Sequence, residues 1–169
     1  MVEFYNEEYL YKIDRQRFNL KLIYVISLIF SIALIVTLTI LIALQPYDTK
    51  FEKVSRWIIA VYLAVYIIFS FVYLKIPYAR VKDYQYFVID CMRFAKNQQQ
   101  ATIVGINNEI TYKNGVDFYY LDIIEWSDRE NDFINRSILV DCEIKNLDLN
   151  KGEIVTITTA SNVLIAYEK

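Results

Sequence analysis

Two uncharged stretches decide the fold of this chain: residues 22–44, LIYVISLIFSIALIVTLTILIAL, and residues 57–74, WIIAVYLAVYIIFSFVYL. Neither contains Asp, Glu, Lys, Arg or His. A helix needs about 20 apolar residues to cross the roughly 30 Å hydrocarbon core of a bilayer. The first stretch meets that length, and the second approaches it because the long side chain of Lys75 can extend to the membrane surface. We therefore predict two transmembrane helices.

Such stretches have two other interpretations. One is a pair of buried helices in a soluble protein, although buried helices rarely run this long without a charge. The other is a secretory signal peptide, because a basic stretch, residues 12–21, precedes the first apolar run. The apolar core is too long for a signal peptide, and no small-residue cleavage site follows at residues 43–46. We expect both helices to be retained as an anchor.

The cations that flank the apolar stretches predict their orientation, because Lys and Arg near helix ends favour the cytoplasmic side. Four precede the first stretch, five follow the second, and three lie between them: Lys12, Arg15, Arg17 and Lys21; Lys75, Arg80, Lys82, Arg93 and Lys96; Lys50, Lys53 and Arg56. We expect an integral protein of the cell membrane with both termini in the cytoplasm. Cys91 and Cys142 then lie in a reducing compartment, where they need not pair.

Charge divides the chain into a basic and an acidic part. Residues 1–100 carry 12 Lys and Arg against 8 Asp and Glu, a net charge of +4, whereas residues 101–169 carry 6 against 12, a net charge of −6. The basic part suits anionic lipid headgroups. The acidic part is repelled by phosphate backbones, whose neutralisation supplies most nucleic-acid affinity. We therefore expect the bilayer, and no nucleic acid, among the partners.

The sequence predicts four segments: an N-terminal interfacial segment, residues 1–19; a transmembrane hairpin, residues 20–75; a juxtamembrane helix or linker, residues 76–99; and a β-domain, residues 100–169. In the first, Asn6 is expected to cap a helix whose aromatic residues lie at headgroup level or dock a partner. In the third, Pro77 is expected to end or kink the second helix. Asp83 is then expected to cap a short amphipathic helix that reaches about residue 98.

The last segment has the pattern of a small all-β domain. Asn114-Gly115 lies between two β-rich runs, residues 102–112 and 116–126, which is the strongest short-range signal for a hairpin. Further strands are predicted at residues 137–144, 153–158 and 163–168. Five strands with one longer connection before the fourth fit a closed barrel of the OB or SH3-like kind.

Alternation in the third predicted strand assigns its side chains to two faces. One side is expected to carry Ile138, Val140, Cys142 and Ile144, and the other side largely Ser137, Asp141 and Glu143. A membrane hairpin joined to a barrel of this kind is similar in layout to the NfeD-type membrane proteins. The likeness is one of architecture, and neither residues nor function are carried over from it.

The composition excludes many catalytic sites. The chain has no His, which removes Ser-His-Asp and Cys-His nucleophiles and His-containing zinc or haem sites. Its two Cys form no CxxC pair, and its three Gly are isolated, so a GxGxxG loop or P-loop is absent. The acidic stretch at residues 128–132 is best interpreted as a solvated loop. We expect no enzyme, no cofactor and no metal.

Aromatic residues on the second predicted strand form the candidate binding face: Phe118, Tyr120 and Trp126. Such residues can contact a small neutral or cationic ligand or a peptide strand. Ordinary packing in a half-buried strand is the alternative.

Three functions fit this layout. The first is a membrane-anchored, non-enzymatic interaction or scaffold protein that presents an acidic β-barrel to a protein partner, or to a second copy, at the cytoplasmic membrane face. The second is a membrane effector that senses a small ligand through the barrel. The third is an accessory subunit of a transporter or channel complex, since neither helix carries an ionisable residue for a pathway of its own.

Overall fold

The computed structural model describes residues 1–44, 50–144 and 147–169. Its elements are, in chain order, β1 (Val2–Glu3), α1 (Glu7–Ala43), α2 (Lys50–Tyr73), α3 (Ala79–Arg93), β2 (Asn97–Lys113), β3 (Val116–Ser127), β4 (Asp132–Asp141), β5 (Ile154–Ala160) and β6 (Val163–Glu168). A π-helical turn, Leu74–Tyr78, joins α2 to α3. The described residues form two compact units: a barrel unit, residues 1–14 and 82–169, and a hairpin unit, residues 15–81.

The hairpin unit consists of α1 and α2 packed side by side in opposite directions. Near the start of α1, the carbonyl oxygen of Leu20 accepts a 3.0 Å hydrogen bond from the hydroxyl of Tyr73, at the end of α2. The ring of Tyr73 also stacks on that of Tyr24 at 5.8 Å. Further along, the hydroxyls of Ser31 and Tyr62 lie 2.7 Å apart. These hydroxyls thus find their partners within the pair, whereas the buried hydroxyl of Tyr66 on α2 has no hydrogen-bond partner among the described residues.

The outer surface of this hairpin is apolar. Both helices are long and apolar enough to cross a membrane, and only 6% and 0% of an 18-residue window in each are buried. A core helix of a soluble protein hides its apolar side chains, whereas these are exposed along their length. The predicted fold class, a hairpin of two long apolar helices plus a small β-barrel, is confirmed.

Pro77 lies inside the π-helical turn that connects α2 and α3. The backbone N–H of Ala79 bonds back to the carbonyls of Ile76 and Leu74, so the chain stays helical past the proline. The prediction that Asp83 caps a new helix is therefore wrong: α3 begins four residues earlier, at Ala79, and ends at Arg93. The physical reason is that the π-helical turn accommodates Pro77, so the chain need not start a new helix after it.

The barrel unit is a closed, five-stranded mixed barrel. β2, β3 and β4 form an antiparallel meander, β4 pairs in parallel with β6, and β5 closes the barrel by pairing with both β6 and β2. This Greek-key order is that of the OB type among the two predicted kinds. β1 adds a short sixth strand beside β6, with Val2 opposite Tyr167.

The turns and the start of α1 follow the predicted chemistry. Asn114 and Gly115 have φ of 53° and 84°, as a two-residue hairpin turn of type I′ requires, and Ser161 and Asn162 turn the chain in the same way between β5 and β6. Asn6 Oδ1 accepts a 2.8 Å hydrogen bond from the backbone N–H of Tyr9, which confirms Asn6 as the cap of α1.

Two strands, β2 and β4, differ from their predicted bounds by more than two residues, and the other barrel strands differ by two residues or fewer. β2 begins at Asn97, where β5 supplies a partner, instead of at residue 102. The third barrel strand covers Asp132–Asp141, whereas residues 137–144 were predicted, so Cys142 and Ile144 lie in the connection that follows. That long connection places Leu149 in the core with Ile123, Ile138 and Leu164.

Candidate functional site

One outward face of the barrel is buried. In the β3–β4 ladder Leu121 pairs with Ile138, and both belong to the core. Phe118, Leu139 and Asp141 occupy alternate positions and therefore point away from the core. Such residues are normally exposed, yet their exposed fractions are 1%, 5% and 0%. Another part of the barrel unit must cover them.

The cover consists of α3 and the N-terminal segment. The ring of Phe87 on α3 packs edge-on against Phe118, with 5.3 Å between ring centroids. Tyr5 packs perpendicular to Phe87 at 5.7 Å and is 1% exposed. Val88 and Cys91, on the same side of α3, are also buried. α3 is therefore amphipathic toward the barrel, and Tyr5 belongs to the cover.

The carboxylate of Asp141 joins this cover to the barrel. It accepts hydrogen bonds from the hydroxyl of Tyr5, at 3.2 Å, and from the hydroxyl of Tyr84 on α3. Its other oxygen accepts a 2.9 Å bond from the backbone N–H of Glu143. The hydroxyl of Tyr9 lies 2.9 Å from that of Tyr84 and extends the network. One buried side chain thus ties together three parts of the chain.

Burial controls the protonation of this network. It raises the pKa of Asp141, and the hydrogen bonds from Tyr84, the Glu143 backbone and Tyr5 oppose that rise only in part. Burial and the nearby Asp141 raise the pKa of both Tyr5 and Tyr84, so the phenols remain proton donors. Asp141 lies on the side of β4 opposite to Ile138 and Val140, as predicted, but α3 and Tyr5 cover that side and exclude water from the carboxylate.

A groove with a volume of about 460 Å³ lies between α3 and the barrel. Its lining comes from α3, the β2–β3 turn, β3, β4 and the β5–β6 turn, and includes Asp83, Tyr86, Phe87, Asp90, Cys91, Phe94, Lys113, Asn114, Phe118, Leu139 and Ser161. Burial, with Asp141 and Asp90 nearby, raises the pKa of Cys91 to about 12. The thiol is therefore neutral at physiological pH and serves as part of an apolar wall.

The far end of the barrel interior is polar. Glu125, 5% exposed, forms a 3.0 Å ion pair with Arg136 and accepts a hydrogen bond from the side-chain amide of Gln99. Arg136 also donates to Asn162 Oδ1 at 3.0 Å. The ion pair and its neighbours satisfy each other, so they fill this end as a structural plug.

Two exposed aromatic rings lie at the tip of the β3–β4 hairpin. Trp126 and Phe133 are directly opposite each other in the ladder, and their rings meet edge-on at 5.2 Å. They are 46% and 67% exposed. The indole N–H of Trp126 donates to Asp128 at 3.0 Å, which holds the ring in place.

The predicted face of Phe118, Tyr120 and Trp126 lies on one outward side of β3 but in three different surroundings. Phe118 is covered by α3 and lines the groove. Tyr120 is half-buried, and its hydroxyl accepts a 3.1 Å hydrogen bond from Thr111. Only Trp126 of the three has an exposed ring. Binding at this face remains a prediction.

Sequence reasoning missed Tyr5, Tyr84 and Asp141 as a unit. Period-two alternation assigns Asp141 to the outer face and carries no information on what lies above that face. The one available signal was the excess of aromatic residues in the N-terminal segment, since Tyr5 and Tyr9 need a surface to pack on.

Within residues 1–44, 50–144 and 147–169, no three His, Cys, Asp or Glu side chains are grouped so that they could hold a metal ion. Comparison of the chain with protein-family models, with curated proteins and with solved structures gives no match.

Proposed function

We propose that this chain is an integral membrane protein whose α1 and α2 both span the bilayer and whose two termini lie in the cytoplasm. The apolar outer surface of both helices supports insertion, because a surface of this kind is unfavourable in water. The excess of Lys and Arg before α1 and after α2, relative to residues 45–56, supports the orientation.

Cysteine labelling of intact cells tests this topology. In a background of Cys91→Ala and Cys142→Ser, a single cysteine at Lys50 is expected to react with a membrane-impermeant maleimide. A single cysteine at Lys151, an exposed residue of the barrel unit, is expected to react only after the membrane is permeabilised. The reverse pattern would invert the orientation, and equal labelling of both sites in intact cells would argue against insertion.

In this membrane-anchored protein, the barrel serves as a non-enzymatic interaction module that binds a basic, extended segment of a protein partner. The observation that carries the proposal is the exposed Trp126–Phe133 pair. Aromatic rings of this kind supply much of the energy of protein interfaces, and an ordered, exposed pair loses little freedom on binding.

The edge of β4 beside these rings supports an extended partner. β4 pairs with β3 along its whole length, but with β6 only at Leu139 opposite Val163. Among the strands that the structure describes, none pairs with residues 132–136 on that side. The backbone groups that these residues direct away from β3 are therefore available to an added strand, apart from the N–H of Phe133, which donates a 2.7 Å hydrogen bond to Asp132 Oδ1.

Charge supports a basic partner. The turn between β3 and β4, together with the first residue of β4, carries Asp128, Glu130 and Asp132 against Arg129 alone. Residues 101–169 have a net charge of −6. Lys or Arg in a partner would be attracted to these acidic residues, which raises the association rate and orients the partner, whereas an acidic segment is repelled.

Site-specific photo-crosslinking tests the interaction. With benzoylphenylalanine at Asn135, an exposed position on the β4 edge, we expect one reproducible adduct in native membranes. Its partner peptide, read by mass spectrometry, is expected to contain Lys or Arg next to apolar residues. The same probe at Glu109, an exposed position on β2, is the matched control and is expected to give no such adduct.

Two variants link the adduct to the proposed chemistry. Trp126→Ala with Phe133→Ala is expected to lower its yield by about tenfold or more. Charge reversal of Asp128, Glu130 and Asp132 to Lys is expected to lower it as well. An adduct between two copies of the chain, equal adducts at both probe positions, or a yield that neither variant changes would contradict the proposal.

A further inference from the structure

The groove between α3 and the barrel has the size of a small-molecule site. Its volume of about 460 Å³ lies within the roughly 300–1,000 Å³ of ligand pockets. A helix of a partner protein, about 10–12 Å across with its side chains, needs more room than this. The groove is therefore too small for a protein segment of that kind and suited to a compact organic molecule.

The walls of the groove are mainly aromatic. Phe118 and Phe87 form a buried wall, and Tyr86 and Phe94, both about half exposed at 49% and 50%, stand at its opening. The negative faces of such rings attract cations, most strongly where water is excluded. Lys82 already lies 5.7 Å from the centroid of the Tyr86 ring, which shows that this ring is accessible to a cation.

The charges in the lining also favour a cation. Asp83 and Asp90 stand seven residues apart on α3, which places them about 10 Å apart along one side of the helix. Their carboxylates have no hydrogen-bond or ion-pair partner within the part of the chain that the structure describes. Lys113 is the single cation among the lining residues, so the lining carries a net negative charge.

We infer that this groove is a binding site for a small organic cation with an apolar or aromatic body. The body packs between the rings of Phe87, Phe94 and Phe118, and the cationic group lies toward Asp90. Asp83 contributes to the same field, but its Cβ packs close to Gly115, so it also has a structural role. The site is separate from the proposed partner site at Trp126 and Phe133.

Binding is tested with three probes of similar size and different charge: benzyltrimethylammonium, 2-methyl-1-phenyl-2-propanol and benzenesulfonate. The full chain is placed in nanodiscs of zwitterionic lipid, so that the bilayer itself does not attract the cation. Calorimetric titration is expected to rank the affinities as cation first, neutral molecule second and anion last.

Asp90→Asn is expected to weaken benzyltrimethylammonium binding about fivefold, as the loss of one partly exposed charge contact predicts. Lys113→Ala is expected to strengthen it, because the cation in the lining of the groove is removed and Lys82 at the opening remains. Asp128→Asn, which removes an exposed acid at the other hairpin, is the matched control and is expected to change nothing. An unchanged far-ultraviolet circular dichroism spectrum of each variant reports that the fold is retained.

Each contrary result overturns the inference. Preferential binding of benzenesulfonate, or loss of binding in Lys113→Ala, would identify an anion site. Equal effects of Asp90→Asn and Asp128→Asn on the affinity for the cation would mean that binding depends on the overall charge of the protein and not on this groove. No saturable binding of the cation would mean that the groove is empty space under α3. The double variant Trp126→Ala/Phe133→Ala is expected to bind the probe normally, which separates this test from that of the partner site.

Discussion

Replacing Asp141 with Ala is expected to lower the free energy of unfolding of the barrel unit by about 3–5 kcal/mol. The carboxylate accepts hydrogen bonds from the hydroxyls of Tyr5 and Tyr84 and from the backbone N–H of Glu143. Asp141 is fully buried, so water cannot replace it as the acceptor. Each donor left unpaired costs about 1–3 kcal/mol, and α3 and the N-terminal segment lose their common attachment.

The measurement uses the full chain in detergent micelles with Trp57→Phe, which leaves Trp126 as the one tryptophan. Urea unfolding followed by Trp126 fluorescence then reports on the barrel unit. Hydrogen exchange of the peptides that cover β1 and α3 is expected to rise in the Ala variant, because both segments are held through this carboxylate. A loss below about 1 kcal/mol would show that the hydrogen bonds contribute little.

Asp141→Asn is the matched control, because it keeps an acceptor oxygen in the same place and removes the charge. It is expected to cost less than the Ala variant, about 1–2 kcal/mol, mainly because the new amide donors lack a defined acceptor. Equal losses in the two variants would mean that the shape of the side chain, and not its acceptor oxygens, stabilises the site.

The pH dependence of the same pair tests the protonation of Asp141. Burial raises the folded-state pKa of this carboxyl above its ordinary value of 3.8. A raised pKa means that the folded state binds the proton more tightly than the unfolded chain. The resulting stabilisation is fully present below pH 3.8 and is lost as the pH rises through the folded-state pKa.

Unfolding curves of the wild type and Asp141→Asn between pH 7 and pH 4 are therefore expected to diverge. The wild type should gain stability relative to the Asn variant as the pH falls, since only the wild type binds this proton. Titration of the other acids is common to both proteins and cancels in the difference. A difference that shrinks toward pH 4 would mean that the ionised form is the one the fold favours.

Gly115→Ala is the second variant with a large expected effect. Gly115 has φ of +84°, and a Cβ added there would lie 2.8 Å from the Cβ of Asp83 on α3. The positive φ alone costs about 1 kcal/mol for a residue with a side chain. The contact adds about 1–3 kcal/mol, because Asp83 Cβ is fixed to the helix backbone and cannot rotate away. The total expected loss is about 2–4 kcal/mol.

Gly152→Ala provides the matched control for backbone strain. Gly152 has nearly the same φ, +82°, but nothing lies within 4 Å of an added Cβ. It is expected to lose only the strain of about 1 kcal/mol. The difference between the two variants therefore isolates the contact between the β2–β3 turn and α3.

Hydrogen exchange distinguishes where each Gly variant acts. Gly115→Ala is expected to lower the protection of α3 peptides that contain Asp83, and Gly152→Ala is expected to leave them unchanged. Combining Gly115→Ala with Asp83→Gly removes the Cβ–Cβ contact and is expected to restore part of the lost protection, although Gly weakens the helix itself. Equal effects of the two single variants would show that α3 does not lie against this turn.

Local patterns predicted most of the elements because local chemistry decides them. The uncharged length of residues 22–44 leaves little choice besides a long helix, and Asn114-Gly115 dictates a tight turn. The last predicted strand, residues 163–168, has the same bounds as the observed β6, because turn residues precede it and alternation runs along it. The predictions failed at the start of β2, which depends on pairing with the distant β5, and at the start of α3, where a π-helical turn carries the helical chain past Pro77 to Ala79.

The candidate site was much less predictable than the elements. Phe118 lies on the outward side of β3, but its burial depends on Phe87, which lies 31 residues earlier in the sequence and on a helix. Asp141 depends in the same way on Tyr5, 136 residues away in the sequence. The alternation of apolar and polar residues predicts which face of a strand a side chain occupies. Whether another element covers that face depends on tertiary packing.

By itself, the sequence determined that this chain has two long apolar helices, an acidic five-stranded barrel and no His-based chemistry, because length, period and composition are local properties. The tertiary structure alone decided that α3 and Tyr5 lie on the outer face of β3 and β4. That contact buries Asp141 and encloses the groove. The physical reason is that burial and hydrogen-bond partners come from segments far apart in the chain, which meet only when it folds.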